Sequence, residues 1–275
     1  MTTTEAPSGI EAIAEAFARA RANGRRAALM PYLMGGYPDL ETSRAIGLAY
    51  ADAGADLVEL GVPFSDPLAD GPVIHAAGTV ALRAGVTLPA VLEIARDIAQ
   101  RVPVVLMCYA NPILTRGLDR FLDALVAARV SGLIVPDLPL EEATEIRTAC
   151  RARGLALVPL VAPTTPAERL ERIGAGASGF VYTVSVTGTT GERGEMAGGL
   201  STVIARAAAH TTVPVAVGFG ISTPEHAAAA ARAGADGVII GSRLVRAAGE
   251  ASDPAAEVRE LVAGFSAALS ETSLG

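Results

Sequence analysis

Acidic residues carry the clearest chemical signal in this chain. In ELGVPFSDPLADGP, residues 59–72, Glu59 stands inside an apolar strand-like run, and Asp66 and Asp70 follow in a loop broken by Pro63, Pro67 and Pro72. A carboxyl group held among apolar neighbours is biased toward its neutral form, which suits it to act as both acid and base near neutrality. Proline restricts φ, so the loop bearing Asp70 is stiffer than its length suggests. Glu59 and Asp70 are therefore the candidate catalytic carboxylates. The competing reading makes Glu59 a hydrogen-bonded polar residue of the interior and Asp66 and Asp70 turn caps. Asp137, in IVPDLP, suits a turn as well as a site, and Asp39, in YPDLETS, reads as a helix cap.

Other chemistries have little support. The sequence contains no lysine, which rules out a Schiff base, and with it covalently attached pyridoxal phosphate, on this chain. His75, His210 and His226 form no metal-binding spacing, nor do Cys108 and Cys150, and there is no H-E-x-x-H or G-x-S-x-G. No metal is expected, and general acid–base catalysis remains.

Eight short β-rich runs recur along the chain, at 27–34, 56–61, 102–109, 132–137, 155–162, 179–185, 213–220 and 237–242. Between most of them lie Ala-rich segments whose apolar residues recur at three and four positions, the spacing of a helix with one buried face. The turn before a strand repeats as AGADLVEL at 53–60 and AGADGVII at 233–240. Glycine there ends a helix in the left-handed conformation. Continuously apolar strands fit a parallel sheet covered by helices, and eight βα units in this length predict an α/β fold, a (β/α)8 TIM barrel. An open doubly wound sheet is the rival, but its G-x-G-x-x-G fingerprint is absent. With no linker or low-complexity block, residues 1–275 read as a single domain, with an extra N-terminal helix and a flexible tail over residues 1–8.

In such barrels the loops after the last strands often hold phosphate. Gly188, Thr190 and Gly191 follow the sixth run, Gly218 and Gly220 end the seventh, and Gly241 and Ser242 follow the eighth and open a helix. Glycine lets backbone amides approach an anion, and a helix N-terminus favours its charge. Any one of these glycines could simply serve a tight turn; the three loops together suggest a phosphorylated small molecule.

Composition narrows the partners. The 275 residues are 51% apolar and 19% charged with net charge −7, and no basic patch is present, so nucleic acid is excluded as the main partner. The first residues carry no secretory signal pattern and no uncharged stretch is long enough for a membrane span. A reducing, cytoplasmic setting is the expectation.

The quoted Glu59–Pro72 motif, with PYLMGGYPD before it and LMCYANPI, VPDLP, VYTVSVTGTTG, VGFGIS and GADGVIIGS after it in order, resembles the tryptophan synthase alpha subunit family from about Ala27 to Val245. The resemblance implies a barrel that cleaves indole-3-glycerol phosphate to indole and glyceraldehyde 3-phosphate. It implies Glu59 as general acid/base and Asp70 as second carboxylate, with Tyr182 near the substrate. Gly191, Gly218, Gly220, Gly241 and Ser242 match phosphate positions, and Tyr32, Met107 and Ile134 match the indole pocket. It further implies no cofactor on this chain and a tryptophan synthase beta subunit as partner in an alpha2-beta2 complex, with pyridoxal phosphate on that subunit. Rival functions are a sugar-phosphate isomerase or epimerase, a stand-alone lyase releasing indole, and a subunit that chiefly regulates its partner. Pro63, Pro67, Asn111 and Pro112 are candidates for an interface on the site face.

Overall fold

The computed structural model describes residues 7–184, 193–218 and 220–272. Nine parallel strands form the sheet: β1 (Ala28–Met34), β2 (Val58–Gly61), β3 (Val104–Met107), β4 (Gly132–Ile134), β5 (Ala156–Val158), β6 (Leu160–Val161), β7 (Val181–Val184), β8 (Val215–Gly218) and β9 (Gly237–Ile240). Their order is β5-β4-β3-β2-β1-β9-β8-β7-β6. The two ends of that order, β5 and β6, are halves of a single apolar run interrupted at Pro159. Eight expected strands thus become nine elements. Proline has no N–H for a ladder, but the Pro159 carbonyl still accepts from the Tyr182 amide at 2.9 Å. The chain itself joins the ends, and a nearly closed barrel results.

Strand side chains alternate between two apolar environments. Leu29, Leu33, Val58, Leu60, Val104, Leu106 and Leu133 pack in one cluster with buried residues of the surrounding helices, such as Ile46, Phe121 and Val262. Ala28, Met30, Leu57, Val105, Ile134, Ala156, Tyr182, Ala216 and Ile239 form a second cluster inside the barrel. Both faces are buried, which is why the strands read as continuous apolar runs. Glu59 falls between the outward Val58 and Leu60, so alternation alone turns it inward.

The helix Gly9–Ala22 closes one end of this interior. Its Ile13 and Phe17 belong to the inner cluster, and Phe17 meets Phe180 with ring centroids 5.9 Å apart. Ser8 is the N-cap of that helix, in a reciprocal capping box with Glu11. The expected tail of residues 1–8 therefore overruns its boundary: Ser8 is held by the helix it caps, and residues 1–6 lie outside the described residues. Asp39 caps the helix Leu40–Asp52 as expected, accepting from the Thr42 amide at 2.8 Å.

The repeated AGAD turn has a second role beyond its glycines, which take φ +99° at Gly54 and +106° at Gly234. The aspartate that ends each repeat ties the start of the neighbouring strand. Asp56 accepts from the Leu29 amide at 2.7 Å and pairs with Arg25. Asp236 accepts from the Val215 amide at 3.0 Å and pairs with Arg26 at 3.2 Å. Among the described residues no single helix is long and apolar enough to cross a membrane.

Candidate active site

A cavity of about 390 Å³ opens at the C-terminal ends of the strands. Tyr32 of β1, Glu59 of β2, Met107 of β3, Ile134 of β4, Leu160 of β6 and Tyr182 of β7 form its walls, and Ala69–Gly71, Gly220–Ser222 and Gly241–Arg243 form its rim. A smaller cavity of about 150 Å³ lies behind the β5–β6 break, sharing Pro136 and Leu160 with the first. Among the described residues it is lined by no acid or histidine.

Glu59 is 2% exposed, and its Oε2 has no hydrogen-bond partner among the described residues. Burial, with the nearby Asp70 charge adding to it, pushes its carboxyl up to about 8. Asp70 sits just before the helix Pro72–Arg83, whose N-cap is Gly71 and whose first residue is proline. Its Oδ1 accepts from the Tyr109 hydroxyl at 2.8 Å, and that hydroxyl in turn accepts from the Ala69 amide at 3.0 Å. The Tyr109 ring stacks on Phe64 at 5.1 Å, so one tyrosine pins both ends of the acidic loop. Burial raises the Asp70 carboxyl, while the Tyr109 bond and the nearby His75 oppose the shift. Two acids thus meet in one cavity in different states: one orphaned, the other held by a donor.

At the opposite rim, Gly220 takes φ +78°, and Gly241 is the N-cap of the helix Ser242–Glu250. The Gly241 carbonyl accepts from the amides of Leu244 and Val245 at 2.9 and 3.1 Å. Helix geometry leaves the Ser242 and Arg243 amides as the first donors open to an anion.

Nine of the sequence candidates share this cavity: Tyr32, Glu59, Asp70, Met107, Ile134, Tyr182, Gly220, Gly241 and Ser242. Gly218 does not line it. A Cβ at Gly218 would overlap the Tyr182 hydroxyl, so glycine there makes room for the phenol ring. Gly188, Thr190 and Gly191 lie outside the described residues. Asp66 is exposed and accepts from Ser65 beside it, and Asp137 accepts from the Ala110 amide at 2.9 Å, capping the chain after β3. Leu160, Val184, Ile221, Ile239, Ser222, Arg243 and Tyr109 escape the motif reading. For Tyr109 a signal exists: two residues beyond the inward Met107, strand alternation turns it to the same side.

The tryptophan synthase alpha chain model matches residues 17–271. The chain belongs to that family. It is 52% identical over 236 residues to the tryptophan synthase alpha chain of Roseiflexus castenholzii, covering 85% of this chain and 90% of that one. With the alpha chain of Prochlorococcus marinus it shares 50% identity over 236 residues, 85% of this chain and 86% of the relative. Among solved structures, tryptophan synthase from M. tuberculosis in an open form superposes with a TM-score of 0.86 at 37% identity, over 94% of this chain and 98% of that one. A chain of the tryptophan synthase a2b2 complex from Pyrococcus furiosus gives a TM-score of 0.81 at 39% identity, over 86% and 97%.

Proposed function

We infer that this chain cleaves indole-3-glycerol phosphate to indole and glyceraldehyde 3-phosphate, with Glu59 and Asp70 as the working carboxylates. The observation that carries the assignment of roles is the orphaned, buried carboxyl of Glu59 facing the same cavity as a donor-held Asp70. The phosphate binds at the Gly220 and Gly241–Arg243 rim, where free helix amides and a guanidinium meet it. The indole lies among Met107, Ile134 and Leu160, with its N–H toward Asp70.

Glu59, neutral at rest, gives its proton to indole C3. Positive charge then spreads to the ring nitrogen, and Asp70 stabilises it by accepting from the N–H. Loss of the proton from the hydroxyl on the adjacent side-chain carbon lets the C–C bond break. Its electron pair returns to the ring, and the oxygen becomes the aldehyde of glyceraldehyde 3-phosphate. The substrate hydroxyl proton balances the one delivered to C3, and Glu59, raised to about 8, can hold it in either direction.

No cofactor is needed for this chemistry. The partner we propose is a tryptophan synthase beta subunit bearing pyridoxal phosphate, in an alpha2-beta2 assembly like that named for the Pyrococcus furiosus relative. Two apolar side chains support docking on the site face: Leu68, 89% exposed next to Pro67, and Leu114, 65% exposed close to Asn111 and Pro112. A cytoplasmic setting accords with the two free, buried thiols, Cys108 and Cys150. Indole release from indole-3-glycerol phosphate, with and without a beta subunit, tests this reading. Turnover that rises with the partner supports it; no turnover by folded protein in either case refutes it.

A further inference from the structure

Two buried polar atoms in the cavity have no hydrogen-bond partner among the described residues although they belong to adjacent strands: the Tyr32 hydroxyl and Oε2 of Glu59. Tyr32 on β1 and Glu59 on β2 are register partners, on strands about 4.8 Å apart. The Tyr32 side chain leaves its strand with its Cβ beside Gly241, and its hydroxyl ends against Gly61, where a Cβ would overlap it. Gly61 lies two residues beyond Glu59 on the same strand face, so the hydroxyl reaches the rim of β2, close enough to feel the charges of both Asp70 and Glu59. One atom is a donor without an acceptor, the other an acceptor that becomes strong when its carboxyl ionises.

We propose that the Tyr32 hydroxyl donates to Oε2 of Glu59 when that carboxyl has given up its proton, making Tyr32 a positioning residue for the proton-transfer step. The idea rests on Glu59 being the acid of the reaction. Tyr32 keeps its own proton throughout; the proton that moves is that of Glu59, and the new hydrogen bond meets the negative charge left behind. Such a bond reaches full strength only as charge develops, so it lowers the barrier and leaves substrate binding unchanged. The groups facing Glu59 are Tyr32 from β1, Tyr182 from β7 and Asp70 from the following loop, with Tyr109 and His75 acting on Asp70 and Arg243 lining the same cavity. Of these, Tyr32 offers a hydroxyl with no bond made among the described residues.

The test is Tyr32→Phe, assayed for indole release across pH beside Glu59→Gln and the double variant. The substitution removes a hydroxyl that makes no hydrogen bond among the described residues and leaves the ring in place. We expect kcat to fall about 10–100-fold, the worth of a hydrogen bond to a charged group, with KM within about twofold. Loss of the donor disfavours ionised Glu59, so the alkaline limb of kcat should move up by about one pH unit or more. On the Glu59→Gln background, Tyr32→Phe should add nothing. Unchanged kcat and alkaline limb in Tyr32→Phe, or a rise in KM alone, overturns the role of Tyr32 while leaving an inactive Glu59→Gln to support the acid. Full turnover in Glu59→Gln overturns both.

Discussion

Asp56 and Glu59 lie three residues apart on one run and are both buried, yet their surroundings are opposite. Asp56, at the end of the barrel closed by the N-terminal helix, has an arginine and a backbone amide on its two oxygens. Its counterpart in the repeat, Asp236, is bound in the same manner. Glu59, at the open end, keeps an oxygen with no partner among the described residues. Buried polar groups are normally satisfied, and an exception calls for a reason. At the closed end acids are spent on holding strands in register; at the open end the unsatisfied acid, with an orphan hydroxyl beside it, is poised for a substrate. Burial by itself separates nothing here: partners do.

The largest effect expected from this contrast is on catalysis. Glu59→Gln should lose at least 10²-fold, and up to about 10⁴-fold, in kcat while folding normally, as read by indole release and circular dichroism. Asp70→Asn should lose about 10²-fold or more by the same assay. Asp56→Ala should do the reverse. It leaves Arg25 buried and unpaired, so unfolding free energy should drop by about 3–5 kcal/mol in urea titration, with turnover per folded molecule retained.

A smaller effect concerns pH. Because the folded-state value of Glu59 is raised, the native protein holds a proton that the unfolded chain releases, and stability falls as pH rises. The loss runs from the ordinary glutamate value, 4.5, up to about 8. Glu59→Gln should lack that slope, which approaches about 1.4 kcal/mol per pH unit within the window. Urea midpoints of both proteins between those limits measure it. The smallest effect is Tyr109→Phe, which removes a donor to Asp70. A several-fold loss of kcat is expected, on the order of 1 kcal/mol, with the acidic limb moving to higher pH because that bond favours the charged carboxyl.

The strand–helix rhythm was legible because short continuous apolar runs and helical spacing are local properties, and Glu59 stood out because a charge in an apolar run is unusual. The split at Pro159 was also written in the chain, in LALVPLVA, though a proline can end a strand or merely bend it. What lay hidden were pairings across long separations. Arg25 meets Asp56 from 31 residues away, and Tyr109 reaches Asp70 across 39. No local pattern announces such bonds; they exist only once the barrel brings neighbouring strands together. Gly218 shows the same limit, since its room for the Tyr182 ring depends on β7 and β8 being adjacent.

The most direct test of the account is the pH dependence of indole release from indole-3-glycerol phosphate by the wild-type chain and Glu59→Gln. Wild-type activity should decline as pH rises through about 8, where Glu59 loses its proton, while Glu59→Gln should keep only a residual rate, lower by at least about 10²-fold and without that decline. Equal turnover by the two proteins, or a wild-type profile that rises through that range, would contradict it.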